Sequence, residues 1–312
     1  MSKAKTELFN RIKEFEENEL KYSESLGLIG IFKKKIGSTY LDEKSSHLIF
    51  RNVGLITHLE RNYALKIDTL IQSIESIKGE EEEAERILAI FSRVHAAMKD
   101  HFEHLSHPLI RYMSSHEDAT ELLNGIKFRS TEFNKLLMSV SIESPELHGK
   151  SLESLLITPI QQSPRRSMQI KAITKSFRKV FPSSKTEVLD GMLTMIENFV
   201  SNCNNAIGSV RVKKICQHIE WGQHVMRHVA CEEFKKQLRG ESRLPCSYVD
   251  SGRLLRRSGF TRYEPTYIYL FNDMLVVLDG AEKTNSALDI LFLQQCLFPK
   301  TNLSEISKKV RE

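Results

Sequence analysis

Three residues near the middle of the chain are spaced so that their side chains would act together on one helix. Ile157, Gln161 and Arg165 follow one another at intervals of four, which places an apolar group, an amide and a guanidinium on one ridge. Such a ridge suits docking against the polar backbone of another protein. A local interpretation also fits, because Thr158 to Gln161 has the form of a capping box with Pro159 in the first turn.

A carboxylate near the N-terminus interrupts an otherwise apolar helical stripe. The stripe repeats at alternating steps of three and four and contains Ile12, Phe15, Glu19, Tyr22 and Leu26. A carboxylate in a stripe costs free energy unless it is paired or lies wet at a functional surface, so Glu19 is a candidate docking contact exposed in the free protein. Alternatively, the helix is rolled and Glu19 lies beside Glu16 and Glu17 at the edge of a solvated face.

Other patterns that could support catalysis or metal binding are weak. Two histidine sets have helical spacing: His101, His104 and His107, and, near Cys231, His224 and His228. The first set lacks a cysteine or carboxylate arranged to complete a tetrahedral site, and the second supplies only two histidine ligands. The sequence also lacks a glycine-rich phosphate loop, a nucleophile elbow and a zinc-protease motif. We therefore expect no catalytic residue, no metal and no cofactor.

The distribution of charge is more informative than the net charge of +5. No Asp or Glu occurs between Ser154 and Thr186. Seven cations lie there: Arg165, Arg166, Lys171, Lys175, Arg178, Lys179 and Lys185. We expect this segment to form a local positive face. Nucleic acid is not an expected partner, because aromatic residues are not interleaved with the cations and no recognised nucleic-acid module is present.

The size of the chain suits one large domain and a smaller one, since 40% of its 312 residues are hydrophobic and 27% are charged. The charged N-terminus is unlike a signal peptide, and no apolar run is long enough to span a membrane, so we expect a cytoplasmic protein. The five cysteines are scattered and form no CxxC pair, which favours reduced, structural cysteines.

Apolar residues at helical spacing predict a bundle of long helices up to about residue 240. After the first helix, a second is predicted from about Ser46 to Ile77, and the acidic run 80–83 would begin another. Further helices are predicted at about 85–105, 107–140 and 150–180, and a last helix from about Thr186, after the breaker segment 181–184.

The pattern changes near residue 241. Short apolar and aromatic runs at 253–256, 267–271 and 274–278 are separated by Gly, Pro and Asn-Asp, and another lies at 288–298. The sequence therefore predicts a helical domain at 1–240 followed by a β-rich domain at 241–312.

Three segments, in order along the chain, resemble the conserved regions of Dbl-homology domains. Residues 19–26 resemble the first region (ExxYxxxL), residues 49–53 the second (IFxNI), and residues 155–166 the third (LLxPxQRxx(R/K)Y). Residues 254–259 and 269–275 are similar to the start of the pleckstrin-homology domain that usually follows. The third region is divergent, because Gln162 stands where the family usually has arginine and Arg166 where it has tyrosine.

The resemblance implies a guanine nucleotide exchange factor for a Rho-family GTPase. Such a protein holds both switch regions of the GTPase and distorts its magnesium and phosphate site, so that the nucleotide is released without covalent chemistry. We therefore do not expect an enzyme that makes or breaks covalent bonds. By this resemblance, Glu19 matches a contact to switch I, and Gln161 and Arg165 match contacts to switch II. Asn204 matches a contact asparagine of the last helix, with Asn205 as the alternative.

The same resemblance carries expectations about partners. Isoleucine at position 157 favours a Rac-like GTPase. Arg253, Arg256, Arg257 and Arg262 would form a basic rim for anionic or phosphoinositide lipids at the membrane periphery. The pleckstrin-homology part is expected to be incomplete, because its later strands and final helix would need residues beyond Glu312.

The expected fold class is thus mainly α, with an elongated Dbl-homology helical bundle followed by a short, incomplete β-rich pleckstrin-homology-like domain. A different class of function also fits the sequence. The divergence at Gln162 and Arg166 is compatible with an inactive helical scaffold that binds acidic membranes or GTPase-pathway partners.

Overall fold

The computed structural model describes residues 3–75, 83–217, 220–221, 248–258, 262–271, 274–279 and 286–292. Contacts between residues divide the chain into two units, 1–204 and 205–312, and each unit is described by itself. The predicted domain boundary between residues 240 and 241 lies outside the described residues.

The described residues form eight α-helices, which run in the order α1 (Lys3–Tyr40), α2 (Glu43–Ile49), α3 (Val53–Glu75), α4 (Glu83–Arg129), α5 (Thr131–Glu143), α6 (Leu152–Leu156), α7 (Thr158–Val180) and α8 (Glu187–Gln217). A short 3-10 turn at Pro145–Leu147 lies between α5 and α6. The predicted helical bundle is confirmed, although several helix boundaries differ from those expected.

Helix α1 follows the predicted apolar stripe and extends it in both directions. Leu8 precedes the stripe, and Ile29, Phe32 and Ile36 continue it at steps of three and four. All four side chains are buried. Through this stripe α1 packs against α3 and α7, so the first and third sequence motifs lie on neighbouring helices.

The predicted helix from Ser46 to Ile77 is divided into α2 and α3. The division occurs at Phe50 to Asn52, because Asn52 has a left-handed backbone conformation with φ of 56°. Asparagine tolerates this conformation better than most residues. The Asn52 side chain donates a hydrogen bond to the carbonyl of Pro108 at 3.2 Å, which ties the turn to α4.

Helix α4 continues where the sequence predicts a break between residues 105 and 107. Pro108 lies inside the helix and is buried, with Leu105 and Leu109 on either side also buried. Packing of these side chains maintains a helix that proline alone would weaken. The chain breaks instead at Ser130, whose hydroxyl caps α5 by accepting a bond from the Phe133 N–H at 3.1 Å.

Apolar side chains from all eight helices form one continuous core in the first unit. The core includes phenylalanines at positions 15, 32, 91, 133 and 177, each fully buried. No helix among the described residues combines the length and apolar character needed to cross a membrane.

The described residues of the second unit form five strands: β1 (Glu220–Trp221), β2 (Tyr248–Ser258), β3 (Arg262–Phe271), β4 (Met274–Asp279) and β5 (Ser286–Phe292). They form one sheet in the order β1-β5-β4-β3-β2. Strands β2 to β5 pair antiparallel, whereas β1 pairs parallel to β5. The predicted runs at 253–256, 267–271 and 274–278 lie in β2, β3 and β4, and the run at 288–298 overlaps β5.

Candidate docking site

The ridge predicted from the spacing of four exists on α7 and at its start. Gln161 and Arg165 are exposed, and Arg165 Nη2 donates to Gln161 Oε1 at 2.9 Å. Ile157 is half-buried and lies at the junction between α6 and α7. The three side chains therefore provide an apolar group beside a hydrogen-bonded amide and guanidinium on an accessible surface.

The capping-box interpretation of this segment is wrong. No side chain caps the start of α7. The Thr158 hydroxyl donates to the carbonyl of Leu155 at 2.6 Å, and Gln161 is occupied by Arg165. Pro159 does lie in the first turn of α7, where its missing N–H costs little. Gln161 is therefore available as a surface group and is not needed to begin the helix.

A cleft of about 410 Å³ lies between α1 and α7 beside this ridge, and we call it the α1–α7 cleft. Its lining residues are Asn18, Lys21, Tyr22 and Ser25 from α1 and Thr158, Gln162, Arg165, Met168 and Gln169 from α7. Among these described residues two are cations and none is a carboxylate. Met168 is 70% exposed at the cleft and supplies an apolar surface. A partner group entering the cleft would meet amides, hydroxyls and positive charge.

Glu19 lies beneath this cleft in a buried ion cluster that also contains Glu60, His101, Gln162 and Arg166. Arg166 donates to Glu19 through Nε at 2.8 Å and through Nη2 at 2.6 Å, which is a two-bond fork. The same guanidinium binds Glu60 at 2.5 and 3.4 Å. Gln162 Nε2 donates a further bond to Glu19 Oε1 at 3.2 Å.

Aromatic rings surround the guanidinium of Arg166. Its central carbon lies 4.8 Å from the centre of the Tyr63 ring and 5.8 Å from that of Tyr22. The Tyr63 ring stacks on His101 with 4.3 Å between centroids. His101 Nε2 is 3.2 Å from Glu60 Oε2, a distance that permits attraction, but the two groups are not aligned as a hydrogen bond.

The electrostatics of the cluster follow from its burial and its charges. Burial alone would raise the pKa of Glu60, but the nearby Arg166 and His101 outweigh it and lower the pKa from 4.5 to about 2. Burial would likewise lower the pKa of Arg166, yet Glu19 and Glu60 raise it well above its usual value. Both groups therefore stay charged at neutral pH.

The expectation that Glu19 is exposed is wrong, since none of its surface is accessible. The alternative of a solvated edge is also wrong, because Glu16 beside it is buried as well. The stripe was identified correctly, and Glu19 occupies an interior position on it. The charge is tolerated there because α7 supplies Arg166 as a partner.

Sequence reasoning missed Glu60, and it treated Arg166 only as one of the cations and as a departure from the family motif. Both residues nevertheless lie on apolar stripes of their helices. Glu60 lies on the α3 stripe Val53, Ile56, Glu60, Tyr63, Ile67 and Leu70, and all of these residues are buried. Arg166 belongs to a similar series on α7: Gln162, Arg166, Ile170, Ile173 and Phe177. Because Glu19, Glu60 and Arg166 each interrupt the apolar stripe of a different helix, their opposite charges could have predicted that they pair in the interior.

Asn204 lies on the other side of α7 from the cleft. It is exposed on α8 and borders an apolar pocket of about 140 Å³. The pocket also contains Ile160, Ser163 and Pro164 of α7 and Cys203 of α8. Burial raises the pKa of Cys203 to about 11, so its thiol is protonated. Asn205, the alternative contact, is exposed too.

The predicted positive face is largely neutralised by acids from elsewhere in the chain. Five of the seven cations pair with carboxylates: Arg166 with Glu19 and Glu60, Lys171 with Glu197, Arg178 with Asp190, Lys179 with Glu7, and Lys185 with Glu187. The segment lacks acids of its own, but the fold brings α1 and α8 alongside it. The local positive face expected between Ser154 and Thr186 is therefore largely offset by these ion pairs.

The remaining site predictions fall in the histidines and in the sheet. Within the described part of the chain, no group of three or more His, Cys, Asp or Glu residues is placed to hold a metal. His224, His228 and Cys231 lie outside the described residues. Arg253, Arg256 and Arg257 lie on β2, and Arg262 lies on the paired strand β3.

These features describe a helical domain with an accessible ridge and cleft, and a family comparison gives its class. A family model described as the RhoGEF domain matches residues 11–204. The matched residues make up more than half of the chain and include the ridge, the cleft and the buried cluster. The chain therefore belongs to the RhoGEF domain family. The resemblance of the three sequence motifs to Dbl-homology domains is thus confirmed. No curated protein sequence matched the chain.

Solved structures with a similar fold include DH/PH domains of RhoGEF proteins. The linker-DH/PH domains of p115-RhoGEF, in an N-terminally truncated form, share 14% identity, with a TM-score of 0.70 over 99% of this chain and 96% of theirs. The DH/PH fragment of PDZ-RhoGEF, solved in complex with human RhoA, shares 15% identity, with a TM-score of 0.65 over 94% and 81%. A Vav1 structure with an allosteric inhibitor shares 16%, with a TM-score of 0.60 over 94% and 68%. At these identities the likeness shows the fold.

Proposed function

We propose that this chain is a guanine nucleotide exchange factor for a Rho-family small GTPase. The observation that carries the proposal is the RhoGEF family match over 11–204, within which an exposed ridge borders an open cleft. The function requires no covalent chemistry: the protein would bind the nucleotide-free GTPase best and so lower the barrier to GDP release. In that sense it is a binding catalyst and not an enzyme that makes or breaks bonds.

Gln161 and Arg165 are the proposed contacts to switch II, and their accessibility supports this role. Arg165 presents a guanidinium at the cleft and is already oriented by Gln161, which reduces the side-chain entropy lost on docking. Ile157 beside them offers a half-buried apolar contact, and we propose that it favours a Rac-like partner. Together these contacts would remodel the switch regions and the magnesium site of the GTPase.

The other proposed contacts differ in what they require. Asn204 is exposed and can meet a GTPase without any rearrangement. Glu19 would have to leave its bonds to Arg166 and Gln162 before it could contact switch I. We therefore place Gln161 and Arg165 first among the proposed contacts, and Glu19 last.

Lipid binding by Arg253, Arg256, Arg257 and Arg262 is proposed as a means of recruitment to anionic membranes. This proposal follows from the family resemblance, and the four residues lie on the paired strands β2 and β3. The alternative function, an inactive scaffold that binds membranes through 165–185, has less support because five cations of that segment are paired.

The test is release of fluorescent GDP from a panel of Rho-family GTPases that includes Rac-like and RhoA-like members. We expect acceleration of at least one member at micromolar protein, and a loss of about tenfold or more with Arg165→Glu. Lys175→Glu is the matched control, because it reverses an exposed cation on α7 outside the cleft lining. No acceleration of any member by the wild-type protein would refute the proposal.

A further inference from the structure

Arg165 and Arg166 are consecutive on α7 but have opposite surroundings. Arg165 is exposed and lines the α1–α7 cleft, whereas Arg166 is fully buried beneath it. We propose that Arg166 is a positioning residue, which holds α7 against α1 and thereby sets the shape of the cleft that receives the GTPase. This inference rests on the proposed function and assigns a role to a side chain that no partner can touch.

The cluster connects three helices through one guanidinium and reaches a fourth through a carboxylate. Arg166 binds Glu19 of α1 and Glu60 of α3 from α7, and His101 of α4 lies beside Glu60. The two parallel bonds to Glu19 fix the guanidinium in both distance and orientation, because the planar fork matches the carboxylate plane. Apolar side chains of similar size pack the same helices without imposing such a direction.

The buried cluster is coupled directly to the cleft surface. Gln162 lies one turn before Arg166, donates to Glu19 at 3.2 Å and also lines the cleft. Arg165 is covalently adjacent to Arg166 and lines the cleft from outside. A rotation or shift of α7 that opened the bonds between Arg166 and Glu19 would therefore move both Gln162 and Arg165.

Stability alone does not account for the cluster. Its two carboxylates and one guanidinium are buried, with side-chain exposures of 0% to 2%. Replacing buried ion groups of this kind by apolar side chains is often neutral or stabilising, because the charges no longer have to be desolvated. Apolar side chains could therefore stabilise the fold at least as well as these ions do. What the charged groups add is a defined orientation of α7 relative to α1.

The first variant removes all three charges at once. Glu19→Leu/Glu60→Leu/Arg166→Met should unfold within about 5 °C of wild type. If Arg166 positions the cleft, this variant should nevertheless lower kcat/KM for GDP release by about tenfold or more and raise the half-saturating GTPase concentration. The control is Lys171→Met/Glu197→Leu, which removes an exposed ion pair of 2.9 Å between α7 and α8 and should leave exchange unchanged.

A second variant keeps both carboxylates and so separates positioning from any contact made by Glu19. Arg166→Lys preserves the charge but cannot form the fork, and it should lower GDP release in the same direction. Amide hydrogen exchange over residues 158–169 of the free proteins should quicken by about tenfold in both variants. This measurement needs no GTPase.

The outcomes distinguish the two proposals. An inactive wild-type protein would refute the proposed function, and hydrogen exchange would still decide the role of Arg166. Wild-type GDP release by Arg166→Lys or by a folded triple variant would overturn the positioning role. Unchanged amide exchange over 158–169 would overturn it as well.

Discussion

The lowered pKa of the buried Glu60 carboxylate predicts how the stability of the folded protein changes in acid. Its pKa is lowered from 4.5 to about 2, a difference of about 2.5 pH units, which at about 1.4 kcal/mol per unit corresponds to about 3 kcal/mol. Because the folded pKa lies below the unfolded one, this stabilisation is fully present above about pH 5. It is lost as the pH falls through the folded pKa, by about 2 kcal/mol at about pH 3 and about 3 kcal/mol at about pH 2.

The perturbation that isolates this contribution is Glu60→Gln, which removes the titrating group and keeps its shape. Other carboxylates also protonate in acid, so the informative quantity is the difference in unfolding free energy between wild type and variant at each pH. We expect this difference to change by about 3 kcal/mol in favour of the variant between about pH 6 and pH 2. For a helical unit of this size, that corresponds to a relative change in Tm of about 10 °C.

The assay is urea unfolding followed by circular dichroism across this pH range. Glu14→Gln is the control, because Glu14 is exposed and pairs with the neighbouring Arg11 on the surface. Parallel curves for wild type and Glu60→Gln, with a constant offset at every pH, would refute the reasoning. They would show that Glu60 gains no differential stabilisation from Arg166 and His101.

The remaining predictions concern the core and the pocket beside Asn204. Phe91→Ala, at a fully buried position, should lower the unfolding free energy by about 4 kcal/mol. Phe128→Ala, at a side chain that is 93% exposed, should change it by less than about 0.5 kcal/mol. Equal losses of the two variants in urea unfolding would contradict the described core. The buried thiol of Cys203, with its pKa raised to about 11, should resist alkylation by iodoacetamide at about pH 8 until urea unfolds the domain. Peptide mass spectrometry reads this residue separately, and rapid labelling in the folded protein would contradict its burial.

Periodicity predicted the helical bundle well where one apolar stripe continues without interruption. The stripe of α1 and the long helix α8 are examples. Periodicity failed at Asn52, where the break between α2 and α3 depends on a left-handed backbone conformation. The Asn52 side chain is hydrogen-bonded to Pro108, which is distant in sequence. Periodicity failed again at Pro108, because burial of the flanking side chains overrides the local preference of proline.

The candidate site was predictable to the extent that spacing along one helix determines which side chains share a surface. Gln161 and Arg165 are adjacent for that reason. The position of Glu19 was not predictable from its own helix, because the free energy of a buried carboxylate depends on what the opposing helix supplies. That partner, Arg166, lies 147 residues away in sequence. The residue directly before it, Arg165, is exposed.

The two consecutive arginines of α7 have a consequence for how this segment is compared across species. Successive residues of a helix point about 100° apart, so moving an alignment by one position exchanges an interior arginine for a surface one. At this position the residue letter would not reveal the error, because both residues are arginine. Evolutionary analyses of this segment should therefore be anchored on Gln162, Ile170 and Phe177, which share the interior side with Arg166.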